Sequence, residues 1–300
     1  MAESVMRIAV IGAHGQLGSD LMLQLGARAV PLGHDQIDIT DPARVAAALE
    51  GMRPDVVINT AAYNLVDQAE NEPDVAFRVN AFGPRHLGQW CAKQGAVLVH
   101  VSTDYVFGLE IGRTQPYRED ELPGPQSVYA ASKLTGENFV RAECPRHIVV
   151  RTCGLYGQAA TRSKGNFVQT MLRLGRERTE LRVVDDQRCT PSFTSDVAAA
   201  IVRLVECNVQ GTFHVTNSSS MTWCEFAREI LRQTGIGTMV VPITTAEFGA
   251  RARRPAYSVL DCTKFETLTG MTLRPWQEAL GEYLSLIAGG PAERGAGRGA

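Results

Sequence analysis

Neither sign of charge dominates this sequence. Its 30 lysines and arginines face 32 aspartates and glutamates, for a net charge of -2. No electrostatic footprint therefore points to nucleic acid or to an anionic membrane surface as a partner. No apolar run reaches the roughly 18 residues that a bilayer-spanning helix needs, so no membrane segment is expected. Met1 to Arg7 does not read as part of a signal peptide, because the apolar run Ile8 to Ile11 is short and stops at Gly12. Metal-ligand spacing is missing too. The seven cysteines, Cys91, Cys144, Cys153, Cys189, Cys207, Cys224 and Cys262, are scattered and form no C-x-x-C pair. They fit reduced thiols in a cytoplasm, mostly serving as small apolar residues, with no metal site. What remains, 44% hydrophobic and 21% charged residues over 300 positions, can bury a large core. Residues 288–300 are rich in Gly, Ala and Arg and are expected to form a disordered tail.

What is present begins with a strand, a glycine turn and a helix. Arg7 to Ile11 is an apolar run of branched residues, as in a buried parallel strand. Gly12-Ala13-His14-Gly15-Gln16-Leu17-Gly18 follows at once, and Leu17, Leu21 and Leu25 recur at helical spacing. Glycines in this context let the backbone approach a pyrophosphate, which the free N–H groups of the helix start then hold. A second strand is expected at Ala29 to Leu32. Some twenty residues past the glycines, Asp38-Ile39-Thr40-Asp41 offers a carboxylate for the adenosine ribose or adenine edge. Asp41 before Pro42 reads as a helix N-cap, which leaves Asp38 for the cofactor. No arginine follows the second strand to pair with a 2′-phosphate, so the choice between NAD and NADP stays open.

Asp55 to Asn59 reads as a further strand, running into the small residues Thr60-Ala61-Ala62 and Tyr63. Asp67, Glu70, Glu72 and Asp74 read as a solvated loop and helix face. A helix is expected over 76–93. Asn80 within it is placed to bond a neighbouring strand or loop, with simple exposure as the alternative. Ala96 to Val101 continues into Ser102-Thr103-Asp104-Tyr105, hydroxyls at the carboxyl end of a strand, where parallel sheets bind ligands. Gly108 to Pro125 reads as a long loop over that site. The next helix carries Tyr129 and Lys133, one turn apart on one face with only small residues between them. A tyrosine titrates near about 10. An ammonium beside it is expected to lower that value and make an acid/base pair. His147 to Thr152 is another strand. Alternating strands and helices with glycine turns make a doubly wound parallel α/β sheet.

Gly12-x-x-Gly15-x-x-Gly18, Ser102 to Phe107, Tyr129-x-x-x-Lys133 and Arg151-Thr152, in this order, resemble an extended short-chain dehydrogenase/reductase. The resemblance narrows to the dTDP-4-dehydrorhamnose reductases through Gly15 to Gly18, Asp38 to Asp41, Asn59 to Tyr63, Asp67, Glu70, Asn166-Phe167, Asp186-Gln187 and Arg254-Pro255. It spans roughly residues 6–287. It implies a Rossmann-type sheet with a smaller C-terminal substrate domain. The dinucleotide domain would comprise 1–152 and about 189–216, and the substrate domain about 153–188 and 217–287. The implied activity is NADPH- or NADH-dependent reduction of the 4-keto group of a nucleotide-linked deoxysugar, in the cytoplasm, with a homodimer allowed.

In those terms Tyr129 gives the proton, Lys133 lowers the tyrosine pKa and bonds the nicotinamide ribose, and Thr103 bonds the substrate oxygen with Asp104 beside it. Gly12, His14, Gly15, Gln16, Leu17, Gly18, Asp38, Ile39, Ala61, Ala62, Tyr63, Asn80, Ser102, Tyr129 and Lys133 would hold the cofactor. Asn166, Gln187 and Arg254 would join Thr103 and Asp104 at the substrate, with Arg254 on the diphosphate. Where the relatives place a sugar-stacking tryptophan, this chain has Gly154; where they place an asparagine, it has Tyr257. The rival readings are an epimerase or dehydratase with tightly bound NAD, and a non-catalytic cofactor-binding regulatory subunit. Tyr105 after Asp104, in place of a glutamate, argues against the dehydratase. The presence of Thr103, Tyr129 and Lys133 argues against the regulatory subunit.

The second half reads as a helix over 166–178 and a strand at Leu181 to Val184. A helix from Ser195, capped by Ser195 or Thr194, and a strand at Gly211 to Val215 returning to the main sheet follow. Then come a helix from Trp223 capped by Thr222 with Glu225, and a short helix capped by Thr245. His214 is expected to be a strand residue with a satisfied ring, not a ligand.

Overall fold

Strand and helix alternate from the start of the chain in a computed structural model that describes residues 6–159 and 165–289. The elements are β1 Ile8–Ile11, α1 Gln16–Leu25, β2 Ala29–Leu32, α2 Pro42–Glu50, β3 Val56–Asn59, α3 Val66–Ala69, α4 Pro73–Phe77, α5 Gly83–Gln94, β4 Val97–Thr103, α6 Val128–Glu143 and β5 His147–Thr152. They continue as α7 Phe167–Glu177, β6 Glu180–Val184, β7 Arg188–Cys189, α8 Thr194–Glu206, β8 Gly211–His214, β9 Met221–Thr222, α9 Trp223–Gln233, β10 Met239–Ile243, α10 Thr245–Phe248, α11 Thr263–Thr269 and α12 Trp276–Ala288.

Six strands pair in parallel in the order β2-β1-β3-β4-β5-β8. Every residue of β1 and β3 is buried, as the unbroken apolar runs require for strands covered on both faces. One face is covered by α1 and α8, where Leu17, Leu21 and Leu25 meet Val197, Ile201 and Leu204. The other is covered by α2, α5 and α6 through Val45, Leu49, Leu87, Trp90 and Val140. The strand order reverses beside β1. Its carboxyl end, and those of β3, β4 and β5, open on the crevice where such sheets take ligands.

A second core gathers α7, α9 and α12 over β6 and β10, with Val168, Leu172, Phe226, Ile230, Trp276 and Tyr283 inside. Expected β8 joins the main sheet beside β5. Asp41 caps α2 by accepting from Ala43 N at 2.8 Å. Thr222 and Glu225 form a reciprocal capping box on α9.

Several local expectations are corrected. The helix expected over 76–93 is interrupted by a π turn at Arg78–Phe82 between α4 and α5. No side chain caps α8, because the Thr194 hydroxyl donates instead to buried Asp20. Thr244, not Thr245, caps α10; the Thr245 amide and hydroxyl are spent on Asp186. Ala288 still belongs to α12, and the rest of the expected tail, 290–300, lies outside the described residues. Among the described residues no helix is long and apolar enough to cross a membrane.

Candidate active site

The cofactor loop follows from β1. Gly12 adopts φ +77°, and a Cβ there would lie 2.7 Å from Thr60 Oγ. A Cβ on Gly18 would lie 2.1 Å from the carbonyl oxygen of Gly12, which leaves no room for any side chain. The turn is therefore tight enough to bring the start of α1 up to the strand ends. No side chain caps α1 and no acidic residue occupies its first turn. Its free N–H groups and partial positive charge are left for an anion.

Two cavities flank this loop. One of about 270 Å³ is lined by Gly12, Gly33, His34, Asp38, Ile39, Thr40 and the Ala61-Ala62-Tyr63 segment. A larger one of about 530 Å³ runs from Gly12, Gly15, Gln16, Leu17 and Gly18 past Ala61 and Ala62 to Ser102, Thr103, Asp104, Tyr129 and Lys133. It ends at Cys153, Gly154, Leu155 and Trp223. A cavity of about 560 Å³ at the opposite ends of the strands, lined by Arg53, Gln94, Arg146 and Asn208, holds none of these groups. The expected catalytic groups lie at the carboxyl ends, where parallel sheets bind ligands. Two cradles too tight for a Cβ, an uncapped helix start and a partly apolar adjoining cavity suit a dinucleotide. Among the described residues no cluster of His, Cys, Asp or Glu is able to hold a metal ion.

Thr103, Tyr129 and Lys133 line the larger cavity together. Thr103 Oγ donates to Asp104 Oδ1 at 3.2 Å and accepts from Tyr105 N. Lys133 is 2% exposed, and its Nζ donates to the Val101 carbonyl at 2.7 Å. The expected lowering of the tyrosine pKa is corrected. Desolvation pushes Tyr129 up to about 12, with the Thr103 side chain pulling the other way. Lys133 is not among the groups that shift Tyr129; burial pushes Lys133 itself down to about 8, against the attraction of Glu137. Burial likewise raises Asp104 to about 6, opposed by hydrogen bonds from Ser258, Cys153 and Thr103.

Other expected residues are committed elsewhere. The Ser102 hydroxyl donates to Glu137 at 2.6 Å, which commits it away from a cofactor. Burial would raise the Glu137 pKa, but Arg151 at 2.8 Å and Arg141 outweigh it and hold the carboxyl below its usual range. Asn80 is fully buried. Its Oδ1 accepts from Tyr63 N, and its Nδ2 donates to Tyr63 O and to Ser132 Oγ. It therefore ties the Ala61–Tyr63 segment to α6 instead of facing a cofactor, and the π turn is what aims it there. His14 rests its ring against Gly33 and lines neither cavity. Asp38 does line the smaller cavity. It accepts from Thr40 N and Oγ on Oδ1, which lowers its pKa and fixes the side chain.

The expected substrate residues divide the same way. Asn166 caps α7 and donates to Gln16, Gly157 O and the Tyr283 hydroxyl, which takes it out of the cavity. Gln187 is buried and donates to Thr245 Oγ. Arg254 is not a free surface cation; it pairs with Asp67 at 2.7 Å. The acidic stretch read as solvated is engaged as well. Glu70 accepts from Val128 N at the start of α6, and Glu72 accepts from the Tyr63 hydroxyl. The 108–125 loop packs Tyr117 flat on Phe107 at 4.2 Å and lines a separate cavity with Arg188 and Tyr257, not the one holding Tyr129. His214 meets its expectation: Nε2 accepts from Arg151 and Nδ1 donates to Tyr117 O. Sequence reading missed Cys153, Leu155 and Trp223 as cavity residues; none lies in a motif, and only the helix start at Trp223 was legible.

The chain matches the family model "RmlD substrate binding domain" over residues 6–288. It is 41% identical over 290 residues to the dTDP-4-dehydrorhamnose reductase of Streptomyces griseus, covering 93% of each chain. Its fold superposes with a TM-score of 0.89 on a dTDP-4-dehydrorhamnose reductase from Clostridium acetobutylicum, at 41% identity, covering 94% of this chain and 100% of that one. The enzyme of the same name from Bacillus anthracis, solved in complex with NADP, gives the same TM-score at 37% identity, covering 94% and 99%. This chain belongs to the RmlD substrate binding domain family, within the extended short-chain dehydrogenases/reductases that resemble dTDP-4-dehydrorhamnose reductase.

Proposed function

We propose that this chain is an NADPH-dependent reductase of the 4-keto group of a dTDP-linked deoxysugar such as dTDP-4-dehydrorhamnose. The observation that carries the reading is that Thr103, Tyr129 and Lys133 line one cavity with the glycine loop. The glycine loop and the start of α1 hold the pyrophosphate, with Asp38, Ile39 and Ala61 to Tyr63 around the adenosine. When bound, the reduced nicotinamide supplies the hydride. Tyr129, with its pKa at about 12, carries its proton at neutral pH and gives it to the substrate oxygen. Thr103 holds that same oxygen. Lys133, still an ammonium below about pH 8, would bond the nicotinamide ribose. Residues 153–159, 165–188 and 217–287 form the wall that takes the sugar. The free cysteines among the described residues suit a reducing cytoplasm.

The test is oxidation of NADPH by the wild-type protein with dTDP-4-dehydrorhamnose. Tyr129→Phe should lower kcat by about two to four orders of magnitude with little change in NADPH affinity. Full activity in that variant would sink the role given to Tyr129. NAD co-purifying in stoichiometric amount, with no net cofactor turnover, would favour an epimerase instead.

A further inference from the structure

The sugar-facing end of the large cavity is closed by one indole. Trp223 opens α9 and is the only tryptophan lining the cavity that holds Thr103, Tyr129 and Lys133. Its ring reaches across to the chain leaving β5: a Cβ built on Gly154 would lie 3.1 Å from Trp223 Cη2 and 3.2 Å from Pro191. Gly154 also sits at φ +47°, in the left-handed region that a side chain disfavours. The indole is held from behind by Phe167 at 4.7 Å and Phe226 at 6.3 Å between ring centroids. The capping box of Thr222 and Glu225 fixes the helix start that bears it. A half-buried indole thus lines the same cavity as Tyr129, and Gly154 is bare where a side chain would crowd it.

We propose that Trp223 is the platform on which the pyranose ring of the substrate stacks, and that Gly154 keeps that platform in place. The inference rests on the reductase reading for its substrate class, a nucleotide-linked deoxysugar. A deoxypyranose presents an apolar C–H face, and an indole is the side chain with the largest flat apolar surface to receive it. Stacking there orients the ring so that its carbonyl, and not another substituent, reaches Thr103 and Tyr129.

The experiment separates sugar from nucleotide. dTDP-L-rhamnose and dTDP alone are titrated into the wild-type protein, Trp223→Phe and Trp223→Leu in the presence of NADPH, and affinities are read calorimetrically. Leucine fills the second core but has no ring to stack. Trp223→Leu should bind dTDP-L-rhamnose about tenfold more weakly, Trp223→Phe should stay within about threefold of wild type, and dTDP itself should bind all three alike. Gly154→Val should reproduce the leucine variant by displacing the indole. In the wild type, dTDP-L-rhamnose should also quench tryptophan fluorescence, because Trp90 and Trp276 are only 6% and 5% exposed. That quenching should vanish in Trp223→Phe. Equal affinity of wild type and Trp223→Leu for the sugar nucleotide, or quenching that survives in Trp223→Phe, overturns the proposal. Because binding is the readout, it stands or falls separately from turnover. A wild-type protein that binds dTDP-L-rhamnose through Trp223 but oxidises no NADPH defeats the reductase reading and leaves this one intact.

Discussion

At the scale of single residues, the pH response of this site is set by Lys133 and not by Tyr129. Tyr129 at about 12 keeps its proton across any practical range, whereas Lys133 at about 8 loses its charge within it. The role proposed for Lys133 needs the ammonium, so kcat/KM for the keto sugar should fall as pH rises through about 8, and a profile still flat well above that value would contradict the role. Stability should move the opposite way. Between the folded value near 8 and the ordinary lysine value of 10.5, the unfolded chain holds a proton that the native state has released. Stability then rises with pH across that window. Gly18→Ala tests the loop: its Cβ would meet backbone, the Gly12 carbonyl at 2.1 Å, which cannot swing aside. NADPH affinity should drop by more than about tenfold by fluorescence titration, through loss of the pyrophosphate approach.

The residues that were legible in sequence share a property with those glycines. Gly12, Gly18, Thr103, Tyr129 and Lys133 act through spacing within one turn or one strand end, and the sequence displays such spacing directly. Asn166, Gln187 and Arg254 act through partners 117, 58 and 187 positions away, and no local pattern reveals that those partners have already claimed them.

At the scale of elements, the hidden feature is the π turn at Arg78–Phe82. A periodicity of 3.6 reads straight through it, because one extra residue in a turn leaves the apolar pattern on both sides intact. Yet that turn rotates Asn80 inward, where it holds the Ala61–Tyr63 segment of the cofactor wall against α6. Close packing backs it: a Cβ on Gly136 of α6 would lie 2.1 Å from Asn80 O. Asn80→Ala should therefore cost about 1 kcal/mol in urea unfolding, since it removes the partners of the half-buried Tyr63 amide and carbonyl. It should also weaken NADPH binding severalfold. An unchanged cofactor affinity would confine Asn80 to stability alone. By contrast the helix starts at Pro42 and Trp223 were legible, because a cap is a local competition between side chain and backbone N–H that Asp41 and Thr222 win within three residues.

At the scale of the whole molecule, the alternation of strands and helices announced the parallel sheet, but it said nothing of how the second core is fastened to it. The fastening is polar and passes through the cofactor loop. Gln16, within the loop, accepts from Gly157 N and from Asn166 Nδ2, and Asn166 in turn donates to Tyr283 of α12. Arg274 on Asp196 adds to the seam. A ligand that organises the glycine loop should then stabilise both cores together. Wild type should gain about 2.7 kcal/mol at an NADPH concentration a hundred times Kd, seen as a rise in Tm. Asn166→Ala removes the donor to Gln16 and the cap of α7 at once. Its Tm without cofactor should fall by the equivalent of about 2 kcal/mol, as a buried acceptor is left unpaired. The coupled expectation is sharper: at the same NADPH concentration its Tm should rise by less than that of wild type, because Gln16 is no longer held for the cofactor. A lower starting Tm with an undiminished rise would show that Asn166 fastens the second core without reaching the cofactor loop.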